Sequence, residues 1–254
     1  MTRIIAVTGK GGTGKTTVAA LIIRAILDKK AGSVLAVDAD PNSTLGETLG
    51  IKVKDTIAGI CEDTRAKLDK LPAGMSKDRY IEYRIHESLA EEKGISLLTM
   101  GRPEGPGCYC YVNSLLRDML KGLSDGYDFT VIDNEAGMEH ISRKTASRID
   151  ILFVVSDFSV MGVRSALRIH KLVYSLGIDV GRSFLVVNKA KGALSPQIEL
   201  EVKDSGLNLA GILAFEQGIE NLSLQNKPLF DLPASADIMK SINRITEEKI
   251  CRVK

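Results

Sequence analysis

The chain has 254 residues, 44% of them hydrophobic, and a formal net charge of +2. That balance supplies no field that would favour nucleic acid or an anionic membrane as a partner, and no apolar run approaches the ~20 residues that span a bilayer. Four cysteines are too few for a disulfide scaffold, and the chain enters its first strand within three residues, with no room for a signal peptide, so a cytoplasmic protein is expected. An α/β chain of this length commonly forms one domain, and 1–254 is expected to be a single unit.

Ile4-Ile5-Ala6-Val7 is a β-prone run that leads into Thr8-Gly9-Lys10-Gly11-Gly12-Thr13-Gly14-Lys15-Thr16-Thr17. From Gly9 to Thr16 the pattern is G-x-x-x-x-G-K-T. Gly9, Gly11, Gly12 and Gly14 let the backbone curl so that successive N–H groups, Thr13 and Thr17 among them, face phosphate oxygens at a helix N-terminus. Lys15 is placed to neutralise the β/γ-phosphates and Thr16 to ligate Mg²⁺. A nucleoside triphosphate is the implied ligand. Lys10 is a second loop lysine. With Lys15 on its own phosphates, Lys10 is either solvated or reaches the nucleotide of a facing copy, as an arginine finger does.

Thr16 to Lys30 repeats apolar residues at Val18, Leu21, Ile22, Ala25 and Ile26, the period of a helix with one buried face. Ser33 to Asp38 reads as a strand covered on both sides. Further strands are expected at 95–100, 128–133, 151–156, 183–188 and 208–214, and helices at 111–122, 142–148, 160–176, 195–205 and 234–250. The result is a doubly wound, mostly parallel sheet with ligands beyond the carboxyl ends of its strands. Residues 51–94 carry interspersed charges of both signs and are expected to be a charged surface insertion, solvated or docking a partner.

Val37-Asp38-Ala39-Asp40-Pro41-Asn42 closes the second strand. Asp38 and Asp40 at i and i+2 would share a face. Asp38 is then placed to hold Mg²⁺ through water and Asp40 to orient or deprotonate an attacking water; the alternative is an ordinary pair of aspartates in a turn. Phe129-Thr130-Val131-Ile132-Asp133 ends a second buried run in an acid, a usual source of a contact to Mg²⁺. Gly137 beyond it can offer an N–H to the γ-phosphate and swing when that group leaves. Val186-Val187-Asn188-Lys189 puts an amide at a strand end, able to read a purine edge. Ala190 stands where an acid would fix guanine, so adenine is favoured.

Gly101-Arg102-Pro103-Glu104-Gly105-Pro106-Gly107-Cys108-Tyr109-Cys110 is the second unusual stretch. In an extended segment the thiols of Cys108 and Cys110 project to one side, as half of an S₄ site suited to Zn²⁺ or Ni²⁺. A two-fold dimer would supply the other half. Two ordinary buried thiols, or a redox pair strained by its short ring, are the other readings. Cys61, Cys251, His86, His140 and His170 stand alone and read as structural or incidental.

The K-G-G-x-G-K-T string resembles the deviant Walker A motif of the MinD, ParA and nitrogenase-iron-protein group of P-loop NTPases. That resemblance implies ATP-dependent face-to-face dimers in which Lys10 crosses the interface, Asp40 is the hydrolytic residue and Asn42 belongs to the segment that moves. Asn134-Glu135-Ala136 departs from the D-T-P-P-G common in that group. Taken with G-R-P-E-G-P-G-C-Y-C and D-N-E-A-G-M-E-H, the motif resembles the CooC-type nickel-insertion ATPases of carbon monoxide dehydrogenase. The resemblance implies Mg²⁺-dependent hydrolysis of ATP to ADP, a homodimer in the ATP- or metal-bound state, Ni²⁺ or Zn²⁺ held by Cys108 and Cys110 of both subunits, and apo carbon monoxide dehydrogenase as client. A maturation ATPase for acetyl-CoA synthase shares these features. An iron–sulfur electron-transfer ATPase is disfavoured because its ligating cysteines lie far apart in sequence. A positioning or segregation ATPase is disfavoured because the tail 245–254 has no broad apolar side.

Overall fold

Strands buried on both faces are the simplest consequence of apolar runs without alternation, and they dictate a sheet with helices on either side. The computed structural model describes residues 2–66, 71–72, 74–102, 108–135 and 148–252, with backbone alone for 108–110 and 113. The strands are β1 (Arg3–Gly9), β2 (Val34–Ala39), β3 (Ala90–Glu92), β4 (Ile95–Thr99), β5 (Phe129–Asn134), β6 (Ile149–Ser156), β7 (Val180–Ala190) and β8 (Asn208–Ala214). They form one sheet in the order β3-β4-β2-β5-β1-β6-β7-β8. Every pairing is parallel except the short edge hairpin β3–β4. The doubly wound α/β expectation holds: β8 has the expected bounds, β2 and β5 are each displaced by one residue, β4 ends one residue early, and β6 and β7 are two and five residues longer.

The helices are α1 (Lys15–Asp28), α2 (Leu45–Leu49), α3 (Ile57–Ala66), α4 (Lys77–Ser88), α5 (Cys108–Leu123), α6 (Val160–Ser175), α7 (Pro196–Asp204), α8 (Gln217–Leu224) and α9 (Asp237–Ile245). Side chains alternate across the sheet. Ile5, Val7, Val34, Ala36, Val131 and Phe153 pack on the side that holds α1 and α9. Leu35, Val37, Leu98 and Ile132 face α3, α4 and α5, and Leu152, Val154, Leu185 and Val187 face α6 and α7.

Two sequence expectations are corrected. The apolar period of α1 suggested one buried face, whereas every residue from Val18 to Ile26 is buried. The reason is tertiary: α9 and the 3₁₀ turn Leu229–Asp231 close over the side of α1 that faces away from the sheet. Arg24 joins this second layer, donating to the carbonyls of Leu229 (3.2 Å) and Leu232 (2.7 Å) and pairing with Asp28 at 3.4 Å. Residues 51–94 were expected to be a charged surface insertion, solvated or docking a partner; within them the described helices α3 and α4 cover the sheet. Ile57, Ile60, Ile81 and Ile85 are fully buried against Leu98, Val112 and Leu116. The charges that suggested a surface loop lie on the outside of this helix pair, where Arg84 bridges Asp55 (3.1 Å) and Asp63 (3.4 Å).

The last helix is shorter than the 234–250 expected, because α9 gives way to a π-helical turn at Thr246–Cys251. Its terminal carbonyls are met by cations from the starts of two strands: Arg3 donates to Ile250 and Arg182 to Lys249, the favourable charge for a helix C-terminus.

Arg24 → Met keeps the apolar bulk but leaves two buried carbonyls without their charged donor. It should lower the free energy of urea unfolding by about 2–3 kcal/mol; an unchanged midpoint would show that the 229–232 segment is held by packing alone.

Candidate functional site

The carboxyl end of β1 lies in the middle of the sheet, between β5 and β6, and the glycine loop that follows it starts from there. Gly9 has φ +155, and an added Cβ would fall on the Val155 carbonyl oxygen of the neighbouring strand. Gly12 and Gly14 have φ +79 and +89, left-handed conformations that side chains resist. Within the loop, Thr13 donates through its hydroxyl to the Lys10 carbonyl at 2.9 Å. Gly11 and Gly12 are exposed, while Thr13 is buried.

How α1 begins sets it apart from other helices of the chain. Ser76, Ser159 and Ser195 each cap a helix by accepting from a backbone N–H of its first turn. The N-cap of α1 is Gly14, with no side-chain cap and no acid in the first turn. Its leading N–H groups and the positive end of its dipole are thus open to an anion, which suits phosphate. Lys15 is buried at this start, Thr16 and Thr17 are half-buried, and Lys10 is exposed with no ion pair among the described residues.

Beneath the helix start lie two carboxylates. Asp38 and Asp133 are register partners on adjacent parallel strands, and both follow the alternation that points Ala36 and Val131 toward α1. Asp38 accepts from the N–H groups of Leu45 (2.8 Å) and Asp40 (3.2 Å). Neither oxygen of Asp133 has a hydrogen-bond partner among the described residues, although the residue is fully buried. Burial pushes the Asp133 carboxyl up to about 7; the Thr16 hydroxyl lies close enough to oppose part of that rise without reaching hydrogen-bond geometry, the Asp38 charge adds to it, and Lys15 opposes it. Asp38 rises to about 6, again by burial, held back by its two backbone donors. Two buried carboxylates beside a threonine hydroxyl, one of them without a donor, form an oxygen set that fits a hard divalent cation.

The expected partner of Asp38 on one strand face was Asp40, but β2 ends at Ala39 and Asp40 belongs to the turn. There its Oδ1 accepts from the backbone N–H and the side-chain amide of Asn42, both at 2.9 Å. The residue that shares the face of Asp38 is Asp133, a neighbour that only strand order reveals. Asn134, the departure noted in the sequence, is buried and ties β5 to β1 by donating to the Val7 carbonyl at 3.0 Å.

At the end of β7 the Asn188 amide is buried and donates to the Thr13 carbonyl at 2.9 Å, while its oxygen accepts from the Lys189 N–H at 2.9 Å. Lys189, not singled out in the sequence, donates through Nζ to the Gly12 carbonyl at 3.0 Å. No local signal marks this contact, which joins residues 177 positions apart.

Cys108 opens α5, so the extended segment expected for the pair is replaced by a helical turn. Residues two apart on a helix lie about 200° apart around its axis. The side chains of Cys108 and Cys110, and all of Gly137, His140 and the helix expected at 142–148, lie outside the described residues. Among the described residues no group of three or more His, Cys, Asp or Glu is placed to hold a metal. Cys61 is buried and Cys251 half-buried. His170 packs edge-on to Tyr174 at 5.0 Å, and burial together with Lys171 lowers its pKa.

The sequence matches the family described as CobQ/CobB/MinD/ParA nucleotide binding domain over residues 4–229. It is 44% identical over 249 residues to an uncharacterized ATP-binding protein of Methanocaldococcus jannaschii, covering 97% of this chain and 98% of that one. It is 29% identical over 245 residues to the carbon monoxide dehydrogenase accessory protein CooC of Rhodospirillum rubrum, covering 92% of each. Among solved structures, the fold is similar to the septum site-determining protein MinD of Pyrococcus horikoshii, complexed with Mg-ADP, with a TM-score of 0.72 at 20% identity, covering 98% of this chain and 96% of that one.

Two outcomes test this geometry. Asp38 and Asp133 hold their protons more tightly when folded than their ordinary 3.8. Their contribution to stability is full below that value and is lost as pH rises through about 6 and about 7. A divalent cation supplied with nucleotide reverses the loss, so its increment in Tm should be larger near pH 8 than near pH 6, and Asp133 → Asn should shrink the difference to the part that Asp38 carries. Gly14 → Ala meets both a left-handed backbone and the Asn188 amide, and nucleotide affinity by calorimetry should fall by about tenfold or more.

Proposed function

The chain belongs to the CobQ/CobB/MinD/ParA nucleotide binding domain family and is an ATPase of the MinD/ParA type, and on that premise we propose that it is a metallochaperone that delivers nickel to a carbon monoxide dehydrogenase. ATP binding brings two copies together, and the pairing builds the metal site. Lys15 and the loop N–H groups hold the nucleotide of their own subunit. Lys10, exposed and with no ion pair among the described residues, reaches across to the partner's phosphates. Cys108 and Cys110 of each subunit together bind one Ni²⁺ or Zn²⁺ as cargo, which requires the first turn of α5 to open so that both thiols reach one side. Acetyl-CoA synthase is the alternative client.

Mg²⁺ fits the oxygen set beneath α1: Thr16, Asp38 and the unpartnered, buried Asp133 would hold it, directly or through water. When bound, the ion supplies positive charge to the triphosphate oxygens as hydrolysis proceeds. Asp40 orients the attacking water from the turn after β2, and its tether to Asn42 couples that role to a segment able to shift. Gly137 completes the γ-phosphate site.

The observation that carries this reading is the likeness, over 92% of the chain, to a carbon monoxide dehydrogenase accessory protein, in a sequence that joins the Lys10 loop to a Cys-x-Cys pair. The fold by itself would suit a positioning ATPase equally well.

Light scattering and metal analysis with and without ATP test the proposal together. The wild-type chain should be dimeric with ATP and Ni²⁺ and hold one ion per two chains. Cys108 → Ala with Cys110 → Ala should abolish the metal while nucleotide binding persists. Lys10 → Ala should bind ATP yet remain monomeric. Metal that survives the double substitution, or a wild-type monomer under these conditions, would overturn it.

A further inference from the structure

We infer that Lys189 is a positioning residue of the nucleotide site: together with Asn188 it braces the P-loop from the end of β7, and its effect falls on the phosphates rather than on the base. Three independent observations meet at this residue. The β7–β8 register runs Val187 to Ile212 and then Ala190 to Ala214, so β7 carries one extra residue there and forms a bulge. Bulges beside a site re-aim side chains. Lys189 has φ 57, left-handed backbone that a lysine has no local reason to adopt. Strain of this kind persists where the surroundings over-determine it.

What over-determines it is the loop. Asn188 holds the Thr13 carbonyl and Lys189 the Gly12 carbonyl, at 2.9 and 3.0 Å, and the Asn188 oxygen accepts the Lys189 N–H. Consecutive residues of one strand end thus hold consecutive carbonyls of the other segment. Each carbonyl shares a rigid peptide plane with the following N–H, which points the opposite way. Fixing the Gly12 and Thr13 carbonyls toward β7 therefore turns the Thr13 and Gly14 N–H groups away from β7. The Gly14 N–H in particular is held for a phosphate oxygen before any nucleotide arrives. The contact is also close: a Cβ on Gly14 would collide with the Asn188 amide. Lys189 further brings a cation to the rim of the loop, where a triphosphate carries its charge.

In this arrangement one of the two N–H donors of the Asn188 amide is committed to the loop. The adenine preference expected of Asn188 and the brace inferred here make different predictions, because a base reader acts on ATP and GTP unequally and a brace acts on both alike. The brace rests on nucleotide binding alone, so its failure would leave the metallochaperone reading untouched.

Three probes separate the cases: ATP, GTP and inorganic tripolyphosphate, which has no base. Lys189 → Met should weaken all three by the same factor, about three- to tenfold, with less effect at high salt because the amine is exposed. Lys189 → Gly removes the strained side chain from a left-handed position, so its Tm should equal or exceed that of the wild type while its affinities fall as in Lys189 → Met. A residue with a merely structural role would not separate Tm from affinity in this way. Wild-type tripolyphosphate binding in both variants, or a changed ATP-to-GTP ratio with tripolyphosphate unaffected, would overturn the inference.

Discussion

Two carboxylates held side by side under an uncapped helix N-terminus are the constraint around which the molecule is arranged. Burial strips both Asp38 and Asp133 of hydration, and the charge of Asp38 adds to the rise at Asp133, which is why both hold protons well above the ordinary carboxylate range. Once ionised, such a pair adds nothing to stability. Its compensation is ligand chemistry: the open N–H groups of α1 attract an anion, the acids attract a cation, and a triphosphate with Mg²⁺ satisfies both. Perturbed acids in a cleft are a recognised mark of a functional site, and here the charge pattern also states what the ligand must be.

The sheet exists to hold that arrangement. With β1 between β5 and β6 and β2 on the far side of β5, the loop, both acids and the Asn188 end of β7 arrive at the same edge from four strands. The layer of α9 and the 229–232 segment over α1 turns the phosphate-binding helix into an interior element, so the turns behind its open start are fixed by packing. The helix pair α3 and α4 does the corresponding work on the opposite face, beside the first turn of α5 where the cysteine pair begins. The nucleotide loop and the start of α5 are therefore joined through one packed body.

Much of this was legible in the sequence. The loop from Gly9 to Thr17 announces its ligand because its chemistry is local: glycines, a lysine, a threonine and a helix start within a dozen residues. The strands were legible because residues buried on both faces cannot alternate with polar ones. Residues 51–94 misled because charge per residue says how much polar surface exists, not on which side of a helix it lies; Ile57, Ile60, Ile81 and Ile85 carry the burial. The strand face expected to be shared by Asp38 and Asp40 fails because strand periodicity was extended one residue past the end of β2; the two remain adjacent through the Asp40 N–H on Asp38.

By itself, then, the sequence determined the phosphate-binding loop, the family it resembles and the α/β class, all written in contacts between near neighbours. Tertiary structure alone decided that Asp133 stands beside Asp38, that α1 is enclosed, and that Lys189 reaches the Gly12 carbonyl. Each of these joins segments about a hundred residues or more apart, or depends on the order in which strands assemble. No local propensity encodes that order; it follows from how whole faces bury one another.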